Sequence, residues 1–152
     1  MTNLMREPIL PENESAANVL APTNSAQAAG EASADRLQPI VYNDIESLGL
    51  LGPGCSFHAE QPDATLAIVT NDAEGAVKID DDFRKLTARK AGEEYVTRGP
   101  ILEGEEALVI VTRSEGAGRL IGIDTRGWPA SMRVAIGDRA ERTYQGEWQC
   151  GA

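Results

Sequence analysis

From Cys55 onward, short apolar runs alternate with clusters of turn residues at intervals of roughly 8 to 12 residues, and no helix-length apolar periodicity follows Gly54. That spacing excludes a βαβ nucleotide-binding fold and predicts an all-β domain, a small antiparallel β-barrel or sandwich of about eight strands. Strands are expected near 55–58, 65–70, 76–79, 83–88, 94–97, 108–113, 120–125, 131–136 and 139–144, with a short final run carrying Trp148 and Cys150. In the 131–136 run Met132, Val134 and Ile136 alternate with Ser131, Arg133 and Ala135, the period of two that places one face in a core. Gly137-Asp138 is a Gly-X pair suited to the following hairpin turn, and Asp72-Ala73-Glu74-Gly75 and Asp80-Asp81-Asp82 are natural connections earlier in the chain. Leu108-Val109-Ile110-Val111 is apolar without alternation, which predicts a strand covered on both faces.

Apolar residues are unevenly spread over the 152 positions. Residues 1–39 hold no aromatic side chain and contain polar, Ala-rich runs interrupted by Pro8, Pro11 and Pro22. Ordering a backbone opposes folding by roughly 1–2 kcal/mol per residue, more than such a stretch could offset by burial. The expected organisation is therefore a disordered low-complexity tether over 1–39 and a single β domain over 40–152. A short helix within 40–49, ended by Gly49, opens that domain.

The only two cysteines, Cys55 and Cys150, bracket the strand-forming region. An even count at the two ends of a domain points to a disulfide, with two reduced thiols in a cytosolic protein as the alternative. Paired, they close a loop worth about 4 to 5 kcal/mol in chain entropy. The tether and the cysteines together predict a periplasmic or lipoprotein-type envelope protein, with the export signal upstream of the assigned start; a cytoplasmic protein is the alternative. The net charge of -10 disfavours nucleic acid and anionic headgroups as nonspecific partners, and no run of about 18 apolar residues offers a transmembrane segment.

No catalytic motif is complete. Ser56 and His58 share a strand face, the basis of an alternative reading as a hydrolase, but no oxyanion hole or orienting carboxylate is identifiable in the sequence. Contiguous Asp80, Asp81 and Asp82 diverge where calcium ligands converge, two distant cysteines with His58 make an incomplete zinc set, and Gly116, Gly118 and Gly122 do not fit a dinucleotide fingerprint. No metal and no cofactor are expected. The candidate contact residues are Arg98 and Arg126, from Thr-Arg pairs recurring at the ends of expected strands, and Trp128, which in a Gly-Trp-Pro turn is the better candidate of the two tryptophans for an exposed aromatic, Trp148 being read as core. A protein or small molecule is the expected partner.

A spacer followed by a β domain with one early and one late cysteine resembles the membrane-bound inhibitors of C-type lysozyme. The likeness is carried by Cys55, by Ala91-Gly92-Glu93-Glu94-Tyr95 in place of their Ser-Gly-x-x-Tyr loop, and by the Tyr144-to-Cys150 stretch. It implies an eight-stranded barrel. The inhibitory function is a further alternative, although Ala91 replaces the family's Ser and Glu105-Glu106 stand where a Lys-Gly pair belongs, which would set like charges against lysozyme's carboxylates.

Overall fold

The computed structural model describes residues 36–151; the expected tether lies outside them up to Asp35. The compact unit starts at Leu37, three residues before the expected boundary. Leu37 is buried in the core and its N–H donates to the Tyr144 hydroxyl at 2.9 Å, while the Gln38 and Ile40 amides donate to the Lys78 and Thr65 carbonyls. Helix α1, Tyr42–Leu48, follows and ends at Gly49 in the left-handed conformation.

Nine strands then follow: β1 Gly54–Ala59, β2 Ala64–Thr70, β3 Glu74–Ile79, β4 Asp82–Ala88, β5 Ile101–Gly104, β6 Ala107–Arg113, β7 Arg119–Leu120, β8 Arg126–Ile136 and β9 Arg142–Gly151. Helix α2, Glu93–Arg98, interrupts the meander between β4 and β5. Every pairing is antiparallel, strands follow one another around the wall in the order β1-β2-β3-β4-β5-β6-β8-β9, and the β1–β9 pairing closes the ring. Eight strands form a closed barrel, and β7 is an added strand on the N-terminal end of β8.

Alternation supplies the interior. Phe57, Val77, Leu102, Val109, Met132 and Trp148 are wholly buried, and filling the lumen with such side chains contributes about 1.5–3 kcal/mol for each. A bulge in β2 between the Phe57–Ala67 and His58–Thr65 pairs leaves Leu66 unpaired and also buried. At Gly146 the β9 backbone passes so close to β1 that a Cβ would overlap the His58 carbonyl oxygen, as happens where a strand bends sharply around a small barrel.

Several expectations change. The 94–97 run is helical, because Glu93 and Glu94 in its first turn and Arg98 in its last complement the helix dipole, and Glu94 pairs with Arg98 across i,i+4. Strand β8 begins at Arg126, five residues before the expected start, and β9 begins at Arg142, three after it. Strand β6 is not covered on both faces, since Leu108 and Ile110 are only half-buried on the outside. The Asp80-Asp81 turn forms as expected, whereas the turn at Gly137-Asp138 only begins a longer connection that reaches β9 at Arg142. Asp80 and Asp81 form a two-residue connection with both φ positive, and the Arg139 amide donates to the Ile136 carbonyl across Gly137-Asp138 with Gly137 at φ 52°.

Both mouths are stoppered. At one end the Leu37–Ile40 segment crosses the barrel and Arg139, in the β8–β9 loop, pairs with Asp80 in the β3–β4 turn on the opposite side. At the other, Cys55 and Cys150 are direct partners on β1 and β9, with Cα atoms 4.0 Å apart and an S–S distance of 2.08 Å. First and last strands are thus joined covalently across a sequence separation of 95 residues.

Two outcomes follow. Replacing both cysteines by serine removes about 4 to 5 kcal/mol of stability in urea unfolding, and reducing the native protein gives the same drop. The Arg139 hydrogen bond, aided by the charges of Arg139 and Arg84 against partial desolvation, holds the Asp80 carboxyl below its ordinary value. Its contribution is therefore complete above the unfolded carboxylate pKa of about 3.9 and disappears as pH falls through the lower folded value. Urea titrations should show wild type more stable than Asp80→Asn near neutrality, with the difference closing between about pH 5 and about pH 2.

Candidate functional site

Wholly buried side chains such as Phe57, Leu102, Met132 and Trp148 occupy the interior, and the hollows considered as candidate surfaces lie outside the wall. At the disulfide end, α2 lowers Val96 into the mouth, and the Val96 carbonyl accepts a hydrogen bond from Trp148 Nε1 at 3.0 Å. Cys55 Sγ lies 3.7 Å from the same oxygen, a packing contact because a disulfide sulfur has no hydrogen to donate. Tyr95 packs against the core and its hydroxyl accepts from the Ile101 amide.

Trp128 is 5% exposed, which corrects its expected exposure. Gly127-Trp128-Pro129 is strand rather than turn, so the alternation running through Met132 and Ala130 carries Trp128 inward, opposite Trp148 on β9. Its indole is held on three sides. Nε1 donates to the Gly116 carbonyl at 2.9 Å, the Arg113 guanidinium lies 4.2 Å from the ring centroid, and Gly118 is so close that a Cβ there would meet the indole at 2.6 Å.

The three Thr-Arg pairs gather at this end in unlike roles. Arg98 is exposed on α2 and bonds Glu94 at 3.1 Å. Arg126 is exposed at the start of β8, with Nη1 3.4 Å from the Ala117 carbonyl. No hydrogen bond or ion pair links these two, because Thr97-Arg98 ends a helix while Thr125-Arg126 opens a strand. Arg113, which sequence reasoning passed over, is the embedded one: it bonds the Thr97 and Ser114 carbonyls at 2.8 and 2.7 Å while stacked on Trp128.

Beyond Trp128 the β7–β8 hairpin projects from the rim. Its tip, Leu120-Ile121-Gly122-Ile123, is aliphatic and open to solvent, with Ile123 94% exposed. The Ile121 and Gly122 amides both donate to the Thr125 carbonyl, which closes the turn. Beside the tip runs a groove of about 690 Å³ bordered by Pro53, Thr97, Leu120, Ile123, Arg126 and the edge of Trp128, with Cys150 on its wall. An expected strand over 120–125 concealed this arrangement: β7 stops at Leu120 and the apolar residues beyond it turn outward.

A second hollow, about 490 Å³, lies on the outer wall among His58, Glu60, Asp63, Arg119 and Glu147. His58 Nε2 is 2.7 Å from Asp63 and its Nδ1 is 3.5 Å from the Thr65 hydroxyl. Both ring nitrogens are thus engaged, and neither bonds Ser56. Among the described residues no group of His, Cys, Asp or Glu side chains is placed to hold a metal ion, and no helix is long and apolar enough to cross a membrane. The Ala91–Tyr95 segment and the Glu105-Glu106 turn lie at opposite ends of the barrel, on either side of β5. Comparison with protein-family models, curated proteins and solved structures found no match.

Replacing Trp128 with Phe removes the bond to Gly116 and should lower stability by about 1 kcal/mol. Hydrogen exchange should accelerate in the amides of residues 116–121 and remain unchanged along the β1–β9 seam, where the ladder does not depend on that indole.

Proposed function

We propose that this protein is a noncatalytic binding domain of the cell envelope, of periplasmic or lipoprotein type, which makes its contacts through the rim built on the β7–β8 hairpin. The observation that carries the reading is the solvent-exposed aliphatic tip at Leu120, Ile121 and Ile123 on a barrel whose lumen is filled. A packed lumen moves recognition to the exterior, and while Val41, Tyr42 and Leu51 are also exposed around α1, the cluster at 120–123 gathers three aliphatic residues on one projecting turn, as a contact surface does. The indole anchor beneath the hairpin and the amide bonds to Thr125 hold that tip in one shape, so little ordering remains to be done on contact. The envelope assignment is supported by the disulfide, which persists in oxidising compartments and is rare in a reducing cytosol.

Two measurements test the two halves of this reading. Alkylation of intact cells should leave both cysteines unlabelled until a reductant is added; thiols free from the outset would place the protein in the cytosol. A photocrosslinking amino acid at position 123, used in living cells, should capture an envelope component that the same group at exposed position 143 on the barrel wall does not. Equal labelling from both positions removes the binding role.

A further inference from the structure

We infer that the partner of the hairpin tip is a lipid surface, with Leu120, Ile121 and Ile123 entering the boundary between headgroups and acyl chains. This rests on the binding role of the rim and names what the rim binds. The three aliphatic residues, unequally exposed at 58%, 40% and 94%, together offer on the order of 200–300 Å². That is far below the 800 Å² or so per partner of a specific protein interface. Residues 120–123 themselves contain no Trp, Tyr or Arg of the kind that concentrates binding energy in protein contacts, and the neighbouring Trp128 is buried. A bilayer requires neither shape complementarity nor a large patch, only apolar surface and a backbone whose polar groups are satisfied on entry. Two of the tip's amides, those of Ile121 and Gly122, are bonded to the Thr125 carbonyl, and at the hydrated headgroup boundary the remaining turn groups stay within reach of water.

Charge placement permits the approach that net charge argues against. At this end Arg89, Lys90, Arg98, Arg113, Arg119 and Arg126 are matched in number by Asp72, Glu74, Glu93, Glu94, Glu115 and Asp124, with Arg119 bonded to Glu147, so the end is close to neutral. The exposed acidic turns, Asp80-Asp81-Asp82, Glu105-Glu106 and Asp138, sit at the opposite end of the barrel. Strands such as the seven-residue β6 separate the two ends by about 20 Å at roughly 3.3 Å per residue. At physiological salt the screening length is about 8 Å, so a membrane at the tip scarcely feels the acidic end. An apolar contact with a neutral rim also predicts that binding is insensitive to salt.

The test is flotation of the full, oxidised chain with phosphatidylcholine vesicles in low salt and in about 0.5 M salt, where exposed charges are screened beyond a few ångströms. Wild type should float with the vesicles in both. Ile123→Asp and, separately, Leu120→Ser should reduce the bound fraction at least about tenfold, since each takes an aliphatic group out of the interface. Asp138→Asn at the far end should float as wild type does. Circular dichroism and thermal unfolding verify that the variants are folded, as expected for side chains so exposed. Wild type left unbound, variants that float equally, or flotation abolished by salt would each overturn the lipid assignment. Position 123 crosslinking specifically to a protein while wild type ignores vesicles defeats the lipid partner alone; absence of any specific crosslink defeats the binding role beneath it.

Discussion

The structure depends on the seam between β1 and β9. A barrel closes only if its first and last strands find each other, and here that pairing spans nearly the whole domain, the contact with the largest loop-closure penalty in the fold. The disulfide sits within that pairing, at the position where the two strands already face each other. It therefore acts chiefly on the unfolded chain, whose ends it keeps close, and leaves the folded seam to the ladder and to Phe57 and Trp148, which are paired across it and fully buried. The close approach at Gly146 belongs to the same seam: only a residue without a side chain lets β9 bend there against β1.

Closure accounts for what the interior does. In an eight-stranded barrel the lumen is just wide enough for side chains, and two tryptophans opposed on β8 and β9 with Val96 pressing in from α2 leave it filled. The Val96 carbonyl would be an unsatisfied acceptor at the mouth without the Trp148 indole, so helix and lumen satisfy one another. The same logic operates at Trp128, whose indole N–H can be buried only because the Gly116 carbonyl reaches it. The loop carrying Gly116 and Gly118, from which the projecting hairpin starts, is in this way tied to the core.

Much of this was legible in the residues. Period-two alternation located most strands, the aspartate and glycine turns were set by their own φ requirements, and the cysteine positions anticipated the pair that closes the ring. What escaped was decided by tertiary context. The Glu94–Thr97 run carries Val and Thr, which favour strands, yet the flanking charges and the vacancy at the barrel mouth make it a helix; the Glu94–Arg98 spacing was the available sign. Trp128 was misplaced because a Gly-Trp-Pro tripeptide resembles a turn when the length of β8 is unknown. Arg113 was overlooked for a related reason: stacking on an indole 15 residues away leaves no mark in local sequence.

The hairpin was hidden by the same apolar residues that make it notable. Leu120, Ile121 and Ile123 have the composition of a buried strand, and a pattern argument assigns such residues to a core. A closed ring, however, has only as many inward positions as its strands supply, and β8 fills its share with Trp128, Ala130, Met132, Val134 and Ile136. Strand β7 pairs only with the part of β8 that runs past the end of β6, so it lies outside the ring and its side chains have no lumen to enter. The exposure of the tip is thus a consequence of closure: once eight strands complete the barrel, an aliphatic hairpin added beyond them faces whatever adjoins the rim.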